Sequence, residues 1–268
     1  MRRPSHAGDK VRVVVDSTVD ESSKTYTEQV VVKKAEKHHR LHLDAIEDIR
    51  AVDAFGDAQR VELTITSFTN RDVVVLAPGQ HLTIVLAPKK ADAVVDVDGA
   101  HASADVRELV EAVLPLAHTP ADADAVVGTR VRQRVGGSWR VDDAAMIGEL
   151  ARTGAAVKPE ALVARASLAD IERSEGVECM DVRIDLDVSA FEPVAPLPEG
   201  SQVTRSKVAV HIDEHLPLAV DRPRLRSEVV VHSEFEAFVA VNGQAEVAGV
   251  TIDRTNDETR KVRYTPVR

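Results

Sequence analysis

The sequence predicts a mainly β (α+β) protein, with a curved antiparallel β-sheet or sheets of half-barrel form and two or three short helices. Three observations carry this. Apolar and polar residues alternate over long stretches, valine-rich runs recur, and only two segments switch to a helical period. A period of two gives a strand one dry face and one wet face, the habit of antiparallel sheets.

The first strands are Val11 to Val15 and Val30 to Val32, where β-branching favours extended backbone. Val61, Leu63 and Ile65 then alternate with Glu62, Thr64 and Thr66, Val73 to Leu76 form another run, and Leu82, Ile84 and Leu86 repeat the alternation. Pro78-Gly79 and Asp98-Gly99 supply turns. The first helix shows the stripe Val106, Leu109, Val110, Val113 and Leu114, with Ser103 as N-cap and Pro115 as stop. Arg130, Arg132 and Arg134 alternate with apolar residues like the solvent face of a strand, and Gly136-Gly137 then turns the chain toward Trp139.

The second helix is capped by Asp142, striped by Ile147, Leu150 and Ala151, and closed by Gly154. Trp139, the one tryptophan, is placed to anchor that helix against the sheet. Residues 158–171 fit either a helix opened by Pro159 or a strand. Met180, Val182, Ile184, Leu186 and Val188, set against Asp181, Arg183, Asp185 and Asp187, form the clearest strand. Phe191 to Gly200, with three prolines, reads as an extended connector. Strands follow at Val208, Val210 and Ile212 and at Val229 to Val231, and Asn242-Gly243 predicts a hairpin.

A soft break at Ala117 to Ala125 divides the chain into a flexible tail (1–9), an N-terminal β-rich region (10–124) with its helix near 104–114, and a C-terminal β-rich region (125–268) with its helix near 143–152. The two regions can share one sheet. No repeat of about 20–50 residues supports a solenoid or propeller.

Composition narrows the function. Lys and Arg total 34 against 44 Asp and Glu, a formal net charge of −10 that repels a phosphate backbone, and aromatics reach only 3%, too few for base-stacking platforms. Nucleic acid is therefore not an expected partner. No apolar run approaches the roughly 20 residues of a transmembrane helix. Met1 to His6 do not form a signal peptide, which fits a cytoplasmic protein or a periplasmic or envelope protein whose export signal has been removed.

The candidate sites resolve into structural roles. His38, Arg40, His42 and Asp44 share one strand face, where the arginine opposes a cation. His211 and His215 have the spacing of helical zinc ligands but fall on a strand, about 13 Å apart. Cys179 sits between the acidic Glu178 and Asp181, an unfavourable setting for a thiolate, and is expected as a small, partly buried residue. Asp181, Asp185 and Asp187 read as a solvated strand face, and Gly136 to Trp139 as a turn entering a strand. No catalytic residue, metal site or cofactor is expected.

Two stretches carry a resemblance. The first is Gly79-Gln80-His81-Leu82-Thr83-Ile84, followed by Val94 to Gly99 and the helix at Asp105 to Leu114. The second is Val127-Gly128-Thr129, then Gly137-Ser138-Trp139-Arg140-Val141-Asp142, a helix, and Glu178-Cys179-Met180-Asp181-Val182. This order, with His215 to Val220 leading into Leu225 to Val241, resembles uncharacterised secreted or lipid-anchored bacterial envelope proteins. Their shape is similar to lipoprotein-carrier (LolA-like) half-barrels, in which helices close a curved sheet over an apolar cavity.

The resemblance implies a non-enzymatic envelope binding protein for an apolar small molecule, a lipid or a partner protein. An assembly module using strand edges and a hydrolase whose site forms only on folding are the alternatives. On the binding reading, Leu82, Ile84, Leu86, Val182, Ile184, Leu186, Val208 and Val210 line one concave face under the stripe Val106, Leu109, Val110 and Val113. The same residues can pack solidly or leave room for a guest.

Overall fold

The computed structural model describes residues 5–54, 56–87, 90–116, 126–129, 131–174, 176–219, 222, 224–240 and 249–267. The N-terminal half contains β1 (Lys10–Thr27), β2 (Val30–Val52), β3 (Ala58–Asn70), β4 (Val73–Leu76), β5 (His81–Val85), β6 (Val94–Val97), β7 (Ala100–His101) and helix α1 (Ala104–Val113). The C-terminal half contains β8 (Ser138–Arg140), α2 (Asp143–Arg152), β9 (Ala155–Ala156), β10 (Leu162–Ser174), β11 (Val177–Val188), β12 (Glu192–Pro193), β13 (Gln202–Pro217), β14 (Arg226–Ala240) and β15 (Gly249–Pro266).

The strands build one large, curved, antiparallel sheet that does not close. Its order is β7-β6-β5-β3-β2-β1-β15-β14-β13-β11-β10-β8, with β4 attached to β3, while β9 and β12 pair separately. The first and last strands meet at its centre, where Val11 to Tyr26 of β1 run against Thr251 to Pro266 of β15.

Local chemistry accounts for the boundaries. Asp98 and Gly99 both take positive φ (49° and 82°) in the tight β6–β7 turn, a conformation that Asp-Gly adopts with little strain. The Ser103 side chain accepts from Val106 N–H at the start of α1, and the Asp142 side chain accepts from Ala145 N–H at the start of α2. Of the expected 1–9 tail, the described part is tied down: Ser5 N–H donates to Gly56 carbonyl and Gly8 N–H to Ile49 carbonyl.

Several expectations are refined. In 158–171 the strand prevails: Pro159–Ala161 makes one 3₁₀ turn and β10 follows from Leu162. Residues 131–135 form no strand, because Thr129 and Gln133 side chains bond locally to Val131 and hold a loop. The Asn242-Gly243 hairpin and the 117–125 break lie outside the described residues.

Candidate functional site

Each helix packs on the same face of the sheet, the inner face, but at opposite ends. In the first core, α1 sets Val110 and Val113 on Val13, Val15, Leu43, Leu63 and Leu82, and the Ser17 hydroxyl of β1 donates to the Ala112 carbonyl. In the second, α2 brings Met146, Ile147 and Leu150 over Ala164, Ala166, Val182 and Ile184. Trp139 packs here half-buried and donates from Nε1 to the Val127 carbonyl at 2.8 Å.

This arrangement divides the expected lining set. Leu82 and Ile84 are buried in the first core, with Leu86 against it. Val182, Ile184 and Leu186 are buried in the second, with Val208 and Val210 at its margin. The stripe of α1 covers only the first group. These eight residues serve two packed cores, because the strands bearing them lie on opposite sides of the β1–β15 centre.

Between the cores lies a stretch of inner face that neither helix covers. Register places Val229 and Val231 of β14 opposite Arg260 and Glu258 of β15, and opposite Ile212 and Val210 of β13. Val229 and Val231 are half-buried and belong to neither core. Ser17 and Val19 of β1 flank Arg260 and Glu258 on the other side. Arg260 is half-buried and forms no ion pair with a described residue.

At one end of this stretch ionisable groups gather. Glu47 of β2 lies between Val11 and Leu63, both buried, and burial pushes its carboxyl up to about 7. Burial also pushes the Tyr264 phenol up; Glu47 and Glu214 reinforce the effect, while Arg224 and Arg260 oppose it. Arg224 Nη1 donates to Glu214 Oε1 at 2.5 Å. Tyr264 thus packs against the first core within the field of Glu47, Glu214, Arg224 and Arg260, and of these groups Arg260 is the one that pairs with the valine patch, opposite Val229. This sets one charged group next to an apolar surface on the uncovered inner face.

The outer face is rich in charge, with exposed valines such as Val163 and Val230 among the charged pairs. Imidazoles and aspartates pair across strands: His38 with Asp20 (2.8 Å), His42 with Asp16 (2.8 Å), His211 with Asp185 (2.7 Å) and His232 with Asp257 (2.6 Å). Arg40, between the first two histidines, also donates to Asp20, at 3.0 Å. His215 lies 3.1 Å from Glu172. Among the described residues no group of three or more His, Cys, Asp or Glu is placed to hold a metal ion. A surface depression of about 540 Å³ is lined by Thr18, Arg40, His42, Thr69, Arg71 and Lys261 among others.

Two expectations on β11 change. Cys179 is fully buried rather than partly so, and Asp181 leaves the solvated face: it is buried, with Oδ2 3.5 Å from Arg183 Nη2 and Oδ1 without a hydrogen-bond partner. Asp181 faces His215 across the strands, and this crowding shields it, while Asp185 remains 60% exposed.

No family model matches the chain, and no curated protein matches it. Among solved structures, a DUF1329 family protein from Desulfovibrio piger aligns over 93% of this chain and 85% of its own at 8% identity, with a TM-score of 0.22. The toluene transporter TodX of P. putida aligns over 97% and 91% at 7% identity, with a TM-score of 0.15. Superpositions this poor carry no argument about fold or function. No helix among the described residues is long and apolar enough to cross a membrane.

Proposed function

We propose that the protein is a non-enzymatic binding protein that holds an amphipathic small molecule or lipid on the uncovered inner face. The apolar part of the guest lies along Val210, Ile212, Val229 and Val231, and its polar group turns toward Arg260 and Tyr264. One observation carries the reading: half-buried valines outside both cores stand directly beside an inward arginine that no described carboxylate neutralises. A half-buried guanidinium without an ion-pair partner is satisfied by a guest bearing an acceptor or negative charge. The one thiol, Cys179, is fully buried and out of reach of a substrate. A periplasmic or envelope setting rests on the motif resemblance.

The test is mass spectrometry of solvent extracts from natively purified protein, together with titration of an environment-sensitive fatty-acid probe. Extracted amphiphile, or probe binding weakened by Arg260→Ala, supports the proposal. No extracted molecule and no probe binding sinks it.

A further inference from the structure

A second surface lies on β2, away from the inner face. This strand pairs with β1 along almost its whole length but with β3 only from Leu41 onward. From Val30 to His38 no described strand runs along the other edge, and every one of these residues is exposed. Val30, Val31 and Val32 are 65%, 48% and 58% exposed.

The direction of the vacant backbone groups follows from Arg40. Its N–H donates to the Asn70 side-chain oxygen at 3.1 Å, and its carbonyl accepts from Arg71 N–H at 2.9 Å, both on the side away from β1. In an antiparallel ladder the N–H and C=O of one residue point the same way, and the side alternates along the strand. His38, Glu36 and Lys34 therefore turn their backbone donors and acceptors to the open edge.

The side chains along this edge state a charge preference. Val30 to His38 contains Lys33, Lys34 and Lys37 against the single acid Glu36, in a chain whose net charge is −10. Lys34 lies 2.8 Å from Glu36, and Lys37 lies 2.7 Å from Glu108 of α1. Lys33 forms no ion pair with a described residue. A second copy pairing in parallel register would stack lysine on lysine, and the antiparallel register that sets Lys34 opposite Glu36 would also set Lys33 opposite Lys37, so like charges meet either way. We propose that this edge of β2 docks an extended acidic segment of a partner protein by strand addition. Main-chain bonds to Lys34, Glu36 and His38 would supply affinity, and the lysines selectivity.

The bland role for such lysines is to guard an exposed edge against pairing, and the experiment separates the two. The full chain is titrated with a fluorescent peptide of alternating threonine and glutamate, and with its threonine–lysine counterpart. Glu36→Pro removes an edge-facing N–H and no bond to β1, it is compared with Glu36→Ala, which loses the same carboxylate and keeps that N–H, and unfolding curves check that both folds are intact. The proposal expects saturable, salt-sensitive binding of the acidic peptide, at least about tenfold weaker for the lysine peptide, and for Glu36→Pro against Glu36→Ala. Equal binding of both peptides, equal binding by the two folded variants, no binding of either peptide, or self-association through this edge in place of peptide binding would each overturn it.

Discussion

Ser206 of β13 holds both backbone groups of Phe191: its hydroxyl accepts from Phe191 N–H at 2.8 Å and donates to Phe191 carbonyl at 2.7 Å. The same contact seats the Phe191 ring on Phe235 of β14, with centroids 5.9 Å apart. This pins the start of the proline connector to the inner face, beside the uncovered stretch. Ser206 is buried, so Ser206→Ala leaves two backbone groups without their partner. Denaturant unfolding should show a loss of about 1–3 kcal/mol. A loss below about 0.5 kcal/mol would show that the ring stack holds the connector alone.

Trp139 joins the indole N–H bond to Val127 with packing under α2. It is half-buried, so truncation should cost less than the roughly 3–5 kcal/mol of a fully buried tryptophan. We expect about 2–3 kcal/mol for Trp139→Ala, and about 1 kcal/mol for Trp139→Phe, which keeps the ring and drops the donor. If the two variants lose equally, the hydrogen bond and not the packing is what matters.

His232 lies between Asp257, 2.6 Å from Nδ1, and Glu234, 3.2 Å from Nε2. The Asp257 hydrogen bond, then that of Glu234, raises its basicity above the ordinary 6.5. A raised imidazole stabilises the fold fully below 6.5, and the contribution fades as pH rises through the folded value. NMR titration should place His232 above 6.5, and Asp257→Asn should bring it down. His211, raised chiefly by Asp185, should respond in the same way to Asp185→Asn.

Alternation made most strands legible, because each half-buried strand must repeat every two residues. The helix caps Ser103 and Asp142 were legible for the same local reason: side-chain oxygens at those positions satisfy backbone N–H groups. The candidate site was less so. Val182 and Leu82 carry identical patterns, and no pattern says that they serve separate cores; that depends on β1 meeting β15, a pairing of the chain's two ends. Arg260 sits in a run of polar residues, Asp253 to Lys261, where neither face declares itself. Glu47 did leave a signal. Leu41, Leu43 and Ala45 set an inward series that Glu47 continues, so a carboxylate falls where an apolar residue belongs.

That misplaced carboxylate gives the sharpest pH test. Glu47 is held in its neutral form up to about 7, against an ordinary 4.5, by burial between apolar neighbours. An acid raised in the fold favours folding while it stays protonated. The Glu47 contribution to stability should therefore be greatest below 4.5, fall as pH rises between 4.5 and about 7, and level off above. Glu47→Gln keeps the shape and cannot ionise, so it should remove this slope. Thermal unfolding should show the variant more stable than the parent at pH 8, and nearly equal to it at pH 4. A guest that brings a cation or a hydrogen-bond donor to this end would favour the charged carboxylate and move its titration down, whereas a purely anionic head near Arg260 would move it up. Following the Glu47 carboxyl by NMR with and without an anionic fatty-acid probe reads that direction. An unchanged titration on saturating probe would mean that the head group lies away from Glu47.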